Sequence, residues 1–142
     1  MRIAIVDYGM GNLRSVSKKL SKIGFDSILT SKPEDIELSD KLILPGVGHF
    51  EKGMENLKSL GLIEPLRKFA LEDKKPILGI CLGMQMFTDF SEEGHTDGLG
   101  FIHAQTMKFN FPDKTLKVPH MGWNSITRMN SHPILNGISE DE

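Results

Sequence analysis

Short apolar runs alternate with longer segments of helical periodicity over the first ninety or so residues. A run that is apolar at nearly every position and ends in a turn is typical of a strand buried on both faces of a parallel sheet. This pattern predicts four strands, at residues 2–7, 27–30, 41–44 and 76–80.

The segments between these strands predict helices. Apolar residues recur at helical spacing after Asn12, which is a suitable N-cap, and Gly24 supplies a stop signal. Further helices are expected at residues 51–60, 62–70 and 82–90, and a turn at Pro33 to Asp35. Alternating strands and helices predict an α/β fold with a flavodoxin-like, doubly wound and mostly parallel sheet.

The pattern changes after an acidic loop at residues 91–98. Residues 99–109 and 115–127 alternate in the manner of antiparallel strands, with a turn at Pro112 and Asp113 between them. We therefore expect a β-rich C-terminal portion. No repeat or linker marks a boundary, so residues 1–142 are predicted to form a single domain.

Composition narrows the functional classes. The net charge is −2, no basic patch is present, and nucleic-acid binding is therefore disfavoured. The chain has neither a signal-like start nor an apolar run long enough for a membrane span, which favours a cytoplasmic protein without a membrane partner. Five histidines show no metal-ligand spacing, so no metal is expected: His49, His95, His103, His120 and His132.

Two glycines after the first strand, in the segment Tyr8 to Asn12, suggest a dinucleotide site. The third glycine of that motif is replaced by Arg14, and no acidic residue closes the next strand. A nicotinamide cofactor is therefore not expected, and no other cofactor is predicted.

The single cysteine, Cys81, lies between Gly79 and Gly83, where a strand is predicted to turn into a helix. This is the spacing of a nucleophile elbow, because side chains two residues before and after a nucleophile on so tight a turn would collide. A helix start favours the thiolate, and the Leu82 amide could serve as an oxyanion donor. The alternative is a buried structural cysteine with incidental glycines.

Two further segments could contribute. Pro45 to Gly48 follows the third strand and could turn backbone amides towards a negative charge, although it could also be an ordinary loop. Pro119 to Asn124 contains the only tryptophan beside a methionine, which suits either a partner interface or a buried core position.

Together these segments resemble a known family. Gly79 to Gln85 is similar to the nucleophile segment of triad-type class I glutamine amidotransferases. Within that class, residues 7–16, 45–48 and 119–124 resemble the glutaminase subunits of imidazole glycerol phosphate synthase. The resemblance implies a glutaminase that passes ammonia to a (βα)₈ cyclase subunit, forming a heterodimer that makes imidazole glycerol phosphate for histidine synthesis.

The resemblance also implies roles for individual residues. It makes Cys81 the nucleophile and assigns three further sets: Val47, Gly48 and Leu82 to the oxyanion hole, Gln85 and Glu93 to glutamine binding, and Asn12, Met121 and Trp123 to the face that meets the cyclase.

One feature of the family is not matched. Its triad is completed by a His-x-Glu segment near the C-terminus, and no such segment follows His132 here, since Ile134 occupies the carboxylate position. We therefore expect a C-terminally shortened form with impaired turnover, in which the last strands of the family fold are missing. Two alternatives remain: a noncatalytic subunit that only binds the partner, and an ammonia supplier to another synthase, such as one for surface-polysaccharide sugars.

Overall fold

A computed structural model describes residues 1–113, 115–119, 121–125, 127, 129 and 132–137. The chain divides into two compact units, Met1–Lys108 and Phe109–Glu142. The assignment of residues 1–142 to a single domain stays a prediction.

The first unit contains seven strands and five helices among its residues. A π-helical turn over Lys68–Glu72 continues the fourth helix. In chain order the elements are β1 (Ile3–Val6), α1 (Leu13–Lys22), β2 (Ser27–Thr30), α2 (Pro33–Glu37), β3 (Lys41–Gly46), α3 (Phe50–Ser59), α4 (Ile63–Arg67), β4 (Ile77–Cys81), α5 (Leu82–Gln85), β5 (Thr88–Ser91), β6 (Thr96–Asp97) and β7 (Ile102–Thr106).

The four predicted strands form one parallel sheet in the order β2-β1-β3-β4. This confirms the α/β class and the flavodoxin-like arrangement expected from the sequence. The register pairs Gly46, the last residue of β3, with Cys81, the last residue of β4. β4 is the outer neighbour of β3, and the carboxyl ends of these two adjacent strands therefore meet.

The two central strands, β1 and β3, are buried on both faces, and successive residues of each strand point to opposite faces. On one face Ile3, Ile5 and Ile43 pack against α1. On the other face a larger core includes Leu44 and buried residues of α3 and α5. Helices on both sides explain why β1 and β3 are apolar at nearly every position. The outer strands β2 and β4 instead leave Leu29, Leu78 and Ile80 exposed.

The signals predicted for α1 are confirmed. The Asn12 side chain accepts a hydrogen bond from the Ser15 amide at 3.2 Å, as an N-cap does. Gly24 follows the helix with φ of 86°, a conformation that side chains other than glycine rarely adopt.

The prediction of a helix over residues 82–90 was wrong beyond Gln85, where α5 ends. Its apolar residues have helical spacing, but residues 86–91 form hydrogen bonds with the chain at 98–106 instead of with each other. The Met86 carbonyl accepts from the Leu99 amide at 2.8 Å, and the Phe87 carbonyl accepts from the Phe101 amide at the same distance. These long-range bonds replace the helical ones and create β5.

Two other local expectations need correction. The turn predicted at Pro33 to Asp35 is the first part of α2, where a proline at the first position and two acids in the first turn favour a helix. The strand within residues 99–109 is confirmed as β7, but it pairs parallel to β5, while β6 pairs antiparallel to β5. The acidic loop at 91–98 thus contains a short strand.

The second unit has little regular structure in its described residues. The rings of Phe109 and Phe111 stack with centroids 5.2 Å apart. Hydrogen bonds from the Thr115 amide and hydroxyl lower the pKa of the Asp113 carboxyl. The strand predicted at 115–127 was wrong for the described part of that range, which holds no strand; a 3₁₀ turn occupies Pro133–Leu135.

Within the part of the chain that the structure describes, no helix has the length and apolar character needed to cross a membrane.

Candidate functional site

Cys81 stands where β4 ends and α5 begins, with φ of 54° and ψ of −116°. Positive φ is uncommon for residues other than glycine and marks a strained backbone that the surrounding structure must hold in place. The side chain is exposed. The predicted elbow is therefore present as a sharp turn that presents a thiol to solvent.

The two flanking glycines are required by close contacts. A Cβ atom on Gly83 would lie 1.7 Å from the Leu44 carbonyl oxygen, and one on Gly79 would lie 2.5 Å from the Met84 Cα atom. Both neighbours are backbone atoms, which cannot move aside cheaply. The structure thus supports the steric reason for glycine at both positions and disfavours the alternative of incidental glycines around a buried cysteine.

An open cleft of about 760 Å³ contains Cys81 in its wall. Three other residues expected in the site line the same cleft: Gly48, Gln85 and Glu93. Their elements are far apart in the sequence and meet only because β3 and β4 are adjacent. Gly48, Gln85 and Glu93 therefore share a cleft with Cys81, whereas Val47 and Leu82 are not among its lining residues. The individual roles of all five stay predictions.

The loop after β3 approaches Cys81 through the pairing of Gly46 with the nucleophile. Gly48 has φ of 112°, which a turn of backbone amides requires, and Val47 is 57% exposed. Leu82 follows the nucleophile and its side chain is buried. Because α5 has only four residues, its dipole supports a thiolate less than the longer predicted helix would.

Glu93 has a contact that the sequence did not suggest. Its carboxylate accepts a hydrogen bond from the Phe50 amide at 2.7 Å. Phe50 is the first residue of α3 and lies two positions after Gly48. The predicted glutamine-binding carboxylate is thus tied to the loop that carries the predicted oxyanion donors.

Tyr8 is a buried neighbour of the site that the sequence analysis missed. Its hydroxyl is, among the described residues, the one buried side-chain polar atom without a hydrogen-bond partner. Burial raises the pKa of the Tyr8 phenol, and the charge of a Cys81 thiolate raises it further. The signal in the sequence was present, because Tyr8 is the only tyrosine and follows directly after the first strand and Asp7.

Three charged or titratable side chains in the cleft were also missed as site residues: Glu92, His95 and Lys108. Glu92 and His95 belong to the acidic loop predicted at residues 91–98. Lys108 reaches the same cleft only because the chain returns through β7. His49 and Glu51 have the spacing of the family's His-x-Glu pair, yet neither lines the cleft with Cys81.

The residues expected to face a partner are exposed. Asn12 lies at the start of α1, and in the second unit Met121 is 86% and Trp123 104% exposed. The alternative of a buried tryptophan and methionine is therefore wrong. His120, the neighbour of Met121, lies outside the described residues.

Across the described ranges, no group of three or more histidine, cysteine, aspartate or glutamate side chains is arranged to hold a metal ion.

A flavodoxin-like parallel sheet with a strained cysteine at the carboxyl end of β4 has the arrangement of an α/β protein with a nucleophile elbow. The family model "Glutamine amidotransferase class-I" matches residues 4–141. The chain belongs to the class I glutamine amidotransferase family.

Individual relatives agree with this family. The chain is 57% identical over 124 residues to imidazole glycerol phosphate synthase subunit HisH of Methanococcus maripaludis, covering 87% of this chain and 61% of that protein. It is 49% identical over 138 residues to a HisH subunit of Campylobacter jejuni, covering 96% of this chain and 68% of that one. The chain thus spans about two thirds or less of the length of these curated relatives.

A solved structure described as "Crystal structure of glutamine amidotransferase" shares the fold. It superimposes with a TM-score of 0.65 at 21% sequence identity, covering 78% of this chain and 59% of that chain.

Substituting Gly83→Ala should destabilise the protein by about 3 kcal/mol, because the new methyl group would overlap the Leu44 carbonyl. Gly61→Ala is the control for backbone strain alone: unlike Gly83, Gly61 has positive φ, 67°, and it has open space around it, so a loss of about 1 kcal/mol is expected. Denaturant unfolding of both variants measures the difference. Equal losses would show that the close contact at Gly83 does not hold the elbow. Gly79→Val and Gly83→Val should lower the free energy of unfolding further than Gly83→Ala does.

Proposed function

We propose that this chain is the glutaminase subunit of an imidazole glycerol phosphate synthase, acting in the cytoplasm in histidine biosynthesis. The observation that carries the proposal is the strained, exposed Cys81 in a cleft shared with Gly48, Gln85 and Glu93. The names of the relatives, which are subunits of that synthase, supply the particular pathway.

In the proposed reaction the Cys81 thiolate attacks the side-chain carboxamide carbon of glutamine. The amide nitrogen takes up a proton and leaves as ammonia, and a thioester remains on the sulfur. Water then cleaves the thioester to release glutamate and restore the thiol. Splitting amide hydrolysis in this way gives two easier steps.

Backbone amides of Val47, Gly48 and Leu82 are the proposed donors to the oxyanion that forms during the attack. Such donors act most strongly where they are fixed before the reaction. The hydrogen bond from Phe50 to Glu93 supports this assignment, because it fixes the chain just beyond Gly48. Gln85 and Glu93 are the proposed contacts to the polar groups of glutamine.

The proposed partner is the cyclase subunit of the synthase, a (βα)₈ barrel that receives the ammonia in a heterodimer. Asn12, Met121 and Trp123 are proposed to meet it. The exposure of Met121 and Trp123 supports this role, since large apolar side chains held in solvent are typical of residues that a partner covers.

Cys81 should be the residue modified by a glutamine analogue that carries an electrophilic diazoketone. The elbow presents its sulfur to the cleft, and the chain has no other thiol. Mass spectrometry of the peptide digest identifies the modified residue, and Cys81→Ala should remain unmodified. Equal modification of wild type and Cys81→Ala would contradict the proposed nucleophile.

Glutamine turnover by the 142-residue chain should stay near background, even with a cyclase and its nucleotide ligand present. Turnover needs a base to accept the thiol proton and an acid for the leaving ammonia, which together contribute about 10² to 10⁴ in rate. An ammonia-release assay measures this. Robust turnover that Cys81→Ala abolishes would contradict the expectation and show that a histidine of this chain acts as base.

In that event two substitutions identify the base. His95→Ala tests the histidine that lines the cleft with Cys81. His120→Ala tests the histidine of the predicted interface segment.

Trp123→Ala should weaken cyclase binding by more than about 2 kcal/mol, because tryptophans that become buried when a partner binds are frequent hot spots at interfaces. Titration of the cyclase against the wild-type chain and the Trp123→Ala variant measures the change in binding free energy. Met129→Ala is a matched control: Met129 is 85% exposed in the same unit but lies outside the predicted interface segment, so its affinity should equal that of wild type. Equal affinity for wild type and Trp123→Ala would remove Trp123 from the interface.

Two alternatives are separated by the same assays. A noncatalytic subunit would bind the cyclase but leave Cys81 unmodified by the glutamine analogue. A supplier of ammonia to a different synthase, such as one for surface-polysaccharide sugars, would be modified at Cys81 but would not bind the cyclase.

A further inference from the structure

The Tyr8 side chain is fixed in place but its hydroxyl has no partner. The residue is 1% exposed, and its backbone carbonyl accepts a hydrogen bond from the Asn56 side chain of α3 at 3.0 Å. A buried hydroxyl without a partner costs free energy, and such exceptions in a folded protein call for a functional explanation.

The position of the hydroxyl is defined by Gly46. A Cβ atom on Gly46 would lie 2.2 Å from the Tyr8 oxygen, so the phenol occupies the space that a side chain at Gly46 would fill. The same Cβ position lies 2.9 Å from the Gly83 amide nitrogen. Because Gly46 is paired with Cys81, the hydroxyl lies beneath the elbow, directly across the strand pair from the nucleophile.

We propose that Tyr8 is a positioning residue of the elbow whose buried hydroxyl stabilises the ionised form of Cys81. A hydroxyl with no acceptor of its own is free to rotate its O–H dipole towards a negative charge that develops nearby. The charge of a Cys81 thiolate, which raises the pKa of the Tyr8 phenol, agrees with this proximity. The proposal rests on the proposed function only in taking Cys81 as the nucleophile.

Other ionisable groups lie in the same part of the molecule. Glu92, Glu93, His95 and Lys108 line the cleft with Cys81, and Asp7 precedes Tyr8. None of them is altered when the phenol hydroxyl is removed. A change in the ionisation of Cys81 on that removal therefore reports the hydroxyl itself.

The test is the pH dependence of alkylation by iodoacetamide, which needs neither glutamine nor a partner. Cys81 is the only cysteine, so loss of free thiol reports it alone. Tyr8→Phe keeps the ring and removes the hydroxyl. The midpoint of the pH profile should move to higher pH by about half a unit or more, because a donor to the charged form is lost.

Stability distinguishes this role from a structural one. Removing a hydroxyl that has no partner should leave the thermal midpoint of unfolding unchanged or higher. Ser39→Ala is the matched control, because Ser39 is 1% exposed but its hydroxyl donates to the Asp35 carbonyl at 2.6 Å. That variant should lose stability and keep the wild-type pH profile. An unchanged profile in Tyr8→Phe, or one moved to lower pH, would overturn the proposal.

A second measurement uses the wild-type chain, so it tests the proposal even if the Tyr8→Phe variant does not fold. Tyrosine labelled at Cζ gives a single NMR resonance, because Tyr8 is the only tyrosine. Its chemical shift should follow the ionisation of Cys81 with the same midpoint as alkylation, and the dependence should vanish in Cys81→Ser. A shift that ignores the thiol would overturn the proposal, whereas failure of the glutamine analogue to modify Cys81 would count against the proposed function alone.

Discussion

The contact between Gly83 and the Leu44 carbonyl is the constraint on which the site depends. Cys81 has a left-handed backbone that costs of order 1–3 kcal/mol, and such strain persists only where neighbouring packing leaves no alternative. That packing comes from β3 and from the buried Leu82 and Met86, which belong to the main core. The packing of the sheet and its core therefore offsets the backbone strain at Cys81.

The same contact decides where the rest of the site can be. Bringing Gly83 against β3 fixes the register that pairs Gly46 with Cys81, so the loop after β3 must pass beside the nucleophile. Glu93 then fastens the start of α3 through Phe50. Three segments separated by dozens of residues are thus held together by backbone contacts and one charged hydrogen bond, which makes the cleft a product of the topology.

Elements with local signals could be predicted from the sequence. Asn12 and Gly24 delimit α1, and the apolar runs predicted β1 to β4. For β1 and β3 the physical reason is burial on both faces, whereas β2 and β4 keep apolar residues although part of each strand is exposed. The end of α5 could not be predicted, since hydrogen bonds from Leu99 and Phe101 decide it. The sharp turn at Cys81 could be predicted from its two glycines, whereas Tyr8 and Lys108 lie near Cys81 only because of contacts that no sequence spacing encodes.

The short α5 changes how a thiolate can be supported in this protein. A helix dipole contributes about 0.3–1 kcal/mol to a charge at the terminus of a full-length helix, and four residues supply only part of it. Single hydrogen bonds to a charged group contribute about 1.5–3 kcal/mol each. The balance therefore favours local donors over the helix as the source of stabilisation. Burial leaves the Tyr8 hydroxyl without a partner, so its O–H is available to a charge on Cys81. A donor already hydrogen-bonded elsewhere would have to give up one bond to form another.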